Sequence, residues 1–212
     1  MSKIIVVGTL AFDTIETPFG KVERVIGGSA PFAGLAAKTK DIECAIISIV
    51  GGDFPNKYLD ILTSKKIDIS EVQIKKDEKS FFWSGKYHKN MNRRDTLETQ
   101  VNVLAKFNPK IPKNFTNPDI LVLGNLDPNV QLSVVSQFEK KPKFIMLDTM
   151  NFWMDNSLDP LMEVIKKVDL ICINDEEVIQ LSGCNNLDEG VKTILEMGPK
   201  YIIMKRGEYG AS

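Results

Sequence analysis

Six short runs of this chain are apolar almost from end to end instead of at every second position: residues 4–7, 45–50, 120–123, 144–147, 170–173 and 201–204. A strand with one wet face alternates; a strand buried on both faces does not, and a parallel sheet covered by helices on both sides demands the second kind. Helical patterns separate the runs, at 30–38, 56–64, 129–138, 161–167, 175–181 and 188–197. Parallel strands need such crossovers, so the repeated order of strand, helix and strand predicts a doubly wound α/β layer sandwich.

Two segments break this rhythm. Residues 14–26 carry Pro18-Phe19-Gly20 between two alternating stretches, the pattern of a hairpin with one wet face. Residues 72–104 contain Phe81-Phe82-Trp83-Ser84-Gly85-Lys86-Tyr87 and a second alternating stretch at 97–104, and no helix fits them. The two segments are expected to pair into a small, half-exposed sheet that serves as a lid over a pocket. The alternative is an edge extension without a functional role.

Composition narrows the class. Of 212 residues, 27 are basic and 28 acidic, for a net charge of −1, which offers no field for nucleic acid or a membrane surface. Lys65-Lys66, Lys75-Lys76 and Lys140-Lys141 are short and scattered, as on a solvated surface. No apolar run approaches the roughly 20 residues of a membrane helix, and no signal peptide is visible, so a cytoplasmic location is expected. Cys44, Cys172 and Cys184 have no metal-ligand spacing and fit a reducing compartment. His88 is the sole histidine, which disfavours a Ser-His-Asp triad or a His-rich metal site. Neither Gly-x-x-x-x-Gly-Lys-Ser/Thr nor Gly-x-Gly-x-x-Gly occurs.

The candidate chemistry begins at Gly27-Gly28, which runs straight into the helical pattern at 30–38. Glycines at a helix start let a small ligand approach the backbone, and free N–H groups there are expected to face it. Asp13, on the exit from the first strand, can accept hydrogen bonds from ligand hydroxyls; its plainer role is to cap a turn. Asp53 follows a second diglycine, Gly51-Gly52, and either shapes the pocket wall or caps the next helix. Asn174-Asp175-Glu176-Glu177 reads as a capped helix start with acids in its first turn, or as part of a metal or phosphate site. Arg94 is a candidate for contact with an anionic group of the substrate. Phe152-Trp153-Met154 reads as core or pocket lining.

The order of these motifs resembles the ribokinase-like (PfkB-type) family of carbohydrate and nucleoside kinases. The residues that carry it are Val6-Val7-Gly8 with Asp13, Gly27-Gly28, Val50-Gly51-Gly52-Asp53, Leu147-Asp148-Thr149-Met150-Asn151, Asn174 through Glu177, and Lys205-Arg206-Gly207-Glu208-Tyr209-Gly210. The resemblance implies a three-layer α/β/α sandwich with a β-sheet lid. It makes 1–212 a single domain cut short on its C-terminal side, with lid elements near 14–26 and 72–104. It also implies ATP-dependent, Mg²⁺-assisted transfer of the γ-phosphoryl group to a hydroxyl of a sugar, nucleoside or related small molecule. By that resemblance Asp13, Gly27, Gly28, Asp53 and Arg94 line the acceptor site. Asn174, Glu177, Lys205, Gly207 and Gly210 belong to the nucleotide and phosphate region, with Glu177 toward the metal. A homodimer through the lid is also implied.

Two departures stand out. Phe32 occupies a position where the family commonly has Asn, which makes the pocket wall more apolar and puts a ribose-type substrate in doubt. The Gly-Ala-Gly-Asp motif that supplies the family's anion hole and catalytic base is absent from the 212 residues. By the resemblance its Asp is expected beyond Ser212, so no catalytic residue is assigned within the chain. The expectation is therefore that the chain by itself is inactive, with a small-molecule binding protein of the same fold as the alternative.

Overall fold

The computed structural model describes residues 2–91 and 93–212. The chain opens with β1 (Lys3–Val7), a hairpin of β2 (Ala11–Thr17) and β3 (Gly20–Gly27), helix α1 (Ser29–Lys38), β4 (Glu43–Gly51) and helix α2 (Asn56–Ser64). Two short strands, β5 (Ile67–Asp68) and β6 (Val72–Lys75), precede a second hairpin of β7 (Phe82–Tyr87) and β8 (Arg94–Gln100). The remainder runs β9 (Ile120–Leu123), α3 (Pro128–Ser136), β10 (Phe144–Asp148), α4 (Asn151–Asn156), α5 (Leu158–Ile165), β11 (Leu170–Asn174), α6 (Asp175–Ser182), α7 (Leu187–Glu196) and β12 (Tyr201–Lys205).

The large sheet has the order β12-β11-β10-β9-β1-β4-β5, with β6 also on β4. Its pairings are parallel: Val7, for example, stands beside Ile47 on one side and Leu123 on the other. The strand order reverses between β1 and β9, which places a ligand crevice outside the carboxyl ends of the strands there.

Alternate residues of the central strands enter two different cores. Ile5, Val7, Ile47, Leu121, Leu123, Ile145 and Leu147 pack with Val134, Leu161, Val164 and Val178 of the helices on one face. Ile4, Val6, Cys44, Ile46 and Val122 pack with Ala30, Ala37, Leu59 and Leu62 of α1 and α2 on the other. Each fully buried Val, Leu or Ile contributes about 1.5–3 kcal/mol. Continuous apolar runs are thus the sequence of a middle layer. Among the described residues no helix is long and apolar enough to cross a membrane.

The small sheet has the order β3-β2-β7-β8, two hairpins joined by the parallel pairing of β2 with β7. It uses less of the chain than the alternating pattern indicates. Val72–Lys75 belongs to the large sheet, where its Cα partners run from Ser48 to Gly51 on β4, and Asn102–Lys106 forms a 3₁₀ turn. Alternation at Val72-Gln73-Ile74-Lys75 reflects a strand on the rim of the large sheet, with one side in solvent. β12 also departs from expectation: Tyr201 and Ile203 are exposed, because the helices of their layer cover only the other half of the sheet.

Candidate active site

Asp13 lies in the middle of β2, beside Val25 of β3 and Trp83 of β7. Its carboxylate rests directly over Gly27: a Cβ built there would stand 2.1 Å from Asp13 Oδ2. Only a residue without a side chain fits beneath it. Among the described residues no group donates a hydrogen bond to this carboxylate, and burial pushes its carboxyl up to about 6. An unpartnered, partly buried carboxylate is an acceptor in search of a donor.

Gly28 has φ +91, and a Cβ on it would meet the Thr9 carbonyl oxygen at 2.2 Å. The start of α1 differs from the expectation of free N–H groups. Ser29 N–H donates to Thr9 Oγ1 at 3.2 Å and Ala30 N–H to the Thr9 carbonyl at 3.1 Å. The glycine pair brings the chain itself into close contact, and the polar group that remains open is Asp13.

Strand register sorts the small sheet into two faces. Asp13, Trp83, Gly85, Tyr87, Thr96 and Arg94 share one: Asp13 is opposite Trp83, Gly85 opposite Thr96, and Tyr87 opposite Arg94. The Trp83 indole lies over Gly85, where a Cβ would approach the ring to 2.1 Å, and its Nε1–H donates to Thr96 Oγ1 at 3.3 Å. Phe12, Thr14, Phe82, Ser84, Glu98 and Gln100 occupy the other face.

Asp53 is on that other side. It lines a cleft of about 410 Å³ with Thr14, Arg24, Phe82 and Ser84. Its carboxylate accepts from Ser80 N–H (2.7 Å), Ser80 Oγ (2.8 Å) and Arg24 Nη2 (2.8 Å). Burial alone would raise its pKa, but the two Ser80 bonds and the Arg24 charge outweigh it and hold the carboxyl below its usual range. Arg24 also stacks on Phe12, its Cζ 4.2 Å from the ring centroid. Asp53 is therefore an anchor between the two sheets, apart from Asp13.

A third group forms at the carboxyl ends of β10, β11 and β12. Lys205 Nζ donates to Asp148 Oδ1 at 3.1 Å. Asn174 caps α6 by accepting from Glu177 N–H at 2.8 Å, and Glu177 Oε2 accepts from Asn174 N–H at 2.7 Å, a reciprocal capping box. Burial raises the Glu177 and Asp148 carboxyls, with Lys205 working against it at both. Burial would lower the Lys205 pKa, but Asp148 and Glu177 raise it on balance, so the ammonium stays charged. Gln131 Nε2 donates to the carbonyls of Gly124 (2.8 Å) and Asp148 (3.3 Å) and ties the ends of β9 and β10 together.

Gly207 and Gly210 lie in the reversal after β12, where Arg206 N–H donates to the Gly210 carbonyl and Ala211 bridges back to Lys205. From there the chain runs antiparallel to β12. Met204 N–H donates to the Ser212 carbonyl at 2.8 Å, and Ser212 N–H to the Met204 carbonyl at 3.0 Å. Ser212 is thus an exposed backbone partner of β12 and brings no acid to the strand ends.

Asp13 thus meets Gly27 beside Gly28, while Arg94 stands farther along the same face of the small sheet, opposite Tyr87. Asn174, Glu177 and Lys205 gather at the strand ends, and Asp53 stands elsewhere. Asp148, Trp83 and Arg24 complete the picture. Asp148 ends a buried strand like Asn174 and Lys205, a visible signal; Trp83 and Arg24 depend on strand pairing, which no local pattern reveals.

The structure thus joins a doubly wound sheet, a small sheet carrying an open carboxylate, and paired charges at the strand ends. The chain belongs to the pfkB family of carbohydrate kinases, whose family model matches residues 1–212. It is 24% identical to a cytidine kinase of Thermococcus kodakarensis over 99% of this chain and 75% of that protein. The nucleoside kinase of Methanocaldococcus jannaschii superposes with a TM-score of 0.73 at 21% identity, over 100% of this chain and 72% of that one. The nucleoside kinase of Burkholderia thailandensis, solved with inosine, gives 0.75 at 16% identity over 98% and 71%. At these identities the structures attest the fold.

Proposed function

We propose that this chain binds a nucleoside and presents one of its hydroxyls to the terminal phosphoryl group of ATP. The observation that carries the reading is the Asp13 carboxylate, open, partly buried and seated over Gly27 on the same face as Trp83. A ligand hydroxyl donates to Asp13, and the indole offers a flat platform to a base. The cytidine kinase and the inosine-bound nucleoside kinase support a nucleoside over a simple sugar. Phe32, 60% exposed on α1, stands where the family resemblance expects an amide directed at a ribose hydroxyl, and Asp13 remains as the hydroxyl acceptor.

In the transfer, the ligand oxygen forms a bond to phosphorus, the bond to the departing nucleoside diphosphate breaks, and the hydroxyl proton passes to a base. Lys205 is placed to balance charge on phosphate oxygens. Mg²⁺ fits the donors at hand. Among the described residues no three acids or histidines cluster as a metal site, yet Mg²⁺ commonly takes one or two carboxylates together with phosphates and waters. Asp148 and the second oxygen of Glu177 would hold it, and it would neutralise charge on the phosphates. The 212 residues contain no Gly-Ala-Gly-Asp, and we expect them alone to bind the acceptor with slow transfer at best.

Calorimetric titration of the chain with cytidine, inosine, ribose and fructose tests the reading, with Trp83 fluorescence followed in parallel. Saturable binding of a nucleoside that quenches Trp83, and that Trp83→Ala abolishes but Trp83→Phe retains, is expected. Binding of sugars alone, indifferent to Trp83, would overturn the nucleoside assignment.

A further inference from the structure

The two carboxylate oxygens of Asp53 serve different hairpins. Oδ1 accepts from Ser80 N–H and Ser80 Oγ, at 2.7 and 2.8 Å, just ahead of β7. Oδ2 accepts from Arg24 Nη2 at 2.8 Å, within β3. In the order β3-β2-β7-β8 these strands flank β2, so one side chain from the loop after β4 spans the strand that carries Asp13. The cleft of about 410 Å³ around this joint is lined mostly by polar groups. Its inner end is apolar, with the ring centroids of Phe12 and Phe54 5.4 Å apart. The small sheet is thus packed on its neighbour at Phe12 and tied to it at Arg24.

Arg24 is held in a conformation that strand residues avoid. Asp13 pairs with Val25 and Ile15 with Val22, so Glu23 and Arg24 together face Thr14 in a β-bulge. Arg24 takes φ +48 there, a left-handed slot usually given to Gly. Its N–H donates to Thr14 Oγ1 at 3.1 Å, and its Cζ lies 4.2 Å from the Phe12 centroid and 6.0 Å from that of Phe82. An exposed ion pair is ordinarily worth little, because two long side chains must be ordered to make it. Here both partners are fixed beforehand, the carboxylate by Ser80 and the guanidinium by the rings. Strain kept in place by so many contacts collects at clamps and switches.

We propose that Arg24 and Asp53 form a latch between the small sheet and the large one, and that an acceptor reaches or leaves Asp13 only while the latch is open. The latch rests on the reading of Asp13 as the acceptor site. Val25 is the strand partner of Asp13, so release of Arg24 frees the strand beside that carboxylate. The cleft that holds Arg24 and Asp53 lies on the face opposite Asp13, away from a bound acceptor. Loss of the latch therefore speeds entry and exit alike and leaves the affinity nearly unchanged.

Stopped-flow mixing with cytidine, followed by tryptophan fluorescence, and amide hydrogen exchange of the chain alone test the latch. Arg24→Gly removes the side chain and leaves the left-handed backbone unstrained. Asp53→Ala removes the partner, and Lys21→Ala, which breaks the exposed Lys21–Glu23 pair of the same hairpin, is the control. In Arg24→Gly the association and dissociation rates are expected to rise together by about three- to tenfold, with the affinity within about threefold. Asp53→Ala should be at least as fast, and adding Arg24→Gly to it should bring no further rise, because both remove one interaction. Lys21→Ala should leave both rates within about twofold. Amides of β2 and β3 should exchange about three- to tenfold faster in Arg24→Gly. Unchanged rates in Arg24→Gly, an equal rise in Lys21→Ala, or a loss of affinity through dissociation alone overturns the latch. Faster exchange of β2 and β3 in a chain that binds none of cytidine, inosine, ribose and fructose would overturn the acceptor reading of Asp13 and leave the tie between the sheets standing.

Discussion

Asp13 and Asp53 are both carboxylates beside a glycine pair, and the structure uses them in opposite ways. Gly51-Gly52 is filled by the chain's own backbone: Gly51 N–H donates to Ser80 Oγ at 2.9 Å, Gly52 N–H to the Lys75 and Glu78 carbonyls at 2.9 and 3.0 Å, and Asp53 accepts from Ser80 and Arg24. Gly27 instead makes room for a carboxylate that no neighbour satisfies. One acid has its partners once the chain folds; the other is left open. Each acid has a glycine pair beside it in the fold, so what separates the two is the supply of partners.

The sharpest break of this contrast is a pair of truncations. Asp13→Ala should weaken acceptor binding about 10- to 100-fold, the worth of a hydrogen bond to a charged group, as read by titration. Asp53→Ala should leave that affinity within about threefold and lower unfolding stability by about 1–3 kcal/mol in urea, since Ser80 and Arg24 lose their acceptor. If Asp53→Ala abolished binding with unchanged stability, the division between the two acids would collapse.

Gly27→Ala comes next. Its methyl group would sit 2.1 Å from Asp13 Oδ2, so the carboxylate must move, and about a tenfold loss of acceptor affinity is expected with the fold retained by circular dichroism. Gly51→Ala meets the Glu78 backbone carbonyl at 2.3 Å and should instead cost about 1–3 kcal/mol of stability.

Smaller effects sharpen the contrast through pH. The folded carboxyl of Asp13 is raised to about 6 from 3.8, so the native state holds its proton more tightly than the unfolded chain. Its contribution to stability is full below the unfolded value and declines as pH rises from about 4 to about 6. Asp13→Asn should therefore raise the thermal midpoint at pH 7, by about 2–4 °C, while it weakens binding. Asp53 has the opposite sign: its lowered carboxyl stabilises the fold above the unfolded value, and that contribution fades as pH falls through the folded one. Acceptor affinity in the parent should fall below about pH 6, and this dependence should vanish in Asp13→Asn.

The architecture was largely legible because the large sheet writes itself locally: runs such as Ile120–Leu123 and Leu170–Asn174 carry their burial in composition alone. What escaped was what depends on distance. Val72–Lys75 alternates like a flap strand, but its partner is β4. Asn151–Asn156 is only six residues long, too short for a helical period to show. The candidate site divides the same way. Asp13, Gly27 and Gly28 stand out in their own segments, as do Asn174 and Glu177. The removal of Asp53 to the other face hinges on Ser80 and Arg24, 27 and 29 residues away, and the use of the α1 N–H groups hinges on Thr9.

The parallel pairing of β2 with β7 also has a kinetic consequence. Each hairpin of the small sheet can close early from neighbours in the chain, but their joint spans about 70 residues, from Phe12 to Phe82. Contacts of that separation carry a large loop-closure cost until β1, β4 and β6 have brought the two ends together. Asp13 and Trp83 therefore meet late, after the large sheet has formed. In stopped-flow refolding, burial of Trp83 should trail formation of the large sheet, and substitutions at the β2–β7 seam should speed unfolding with little effect on the folding rate.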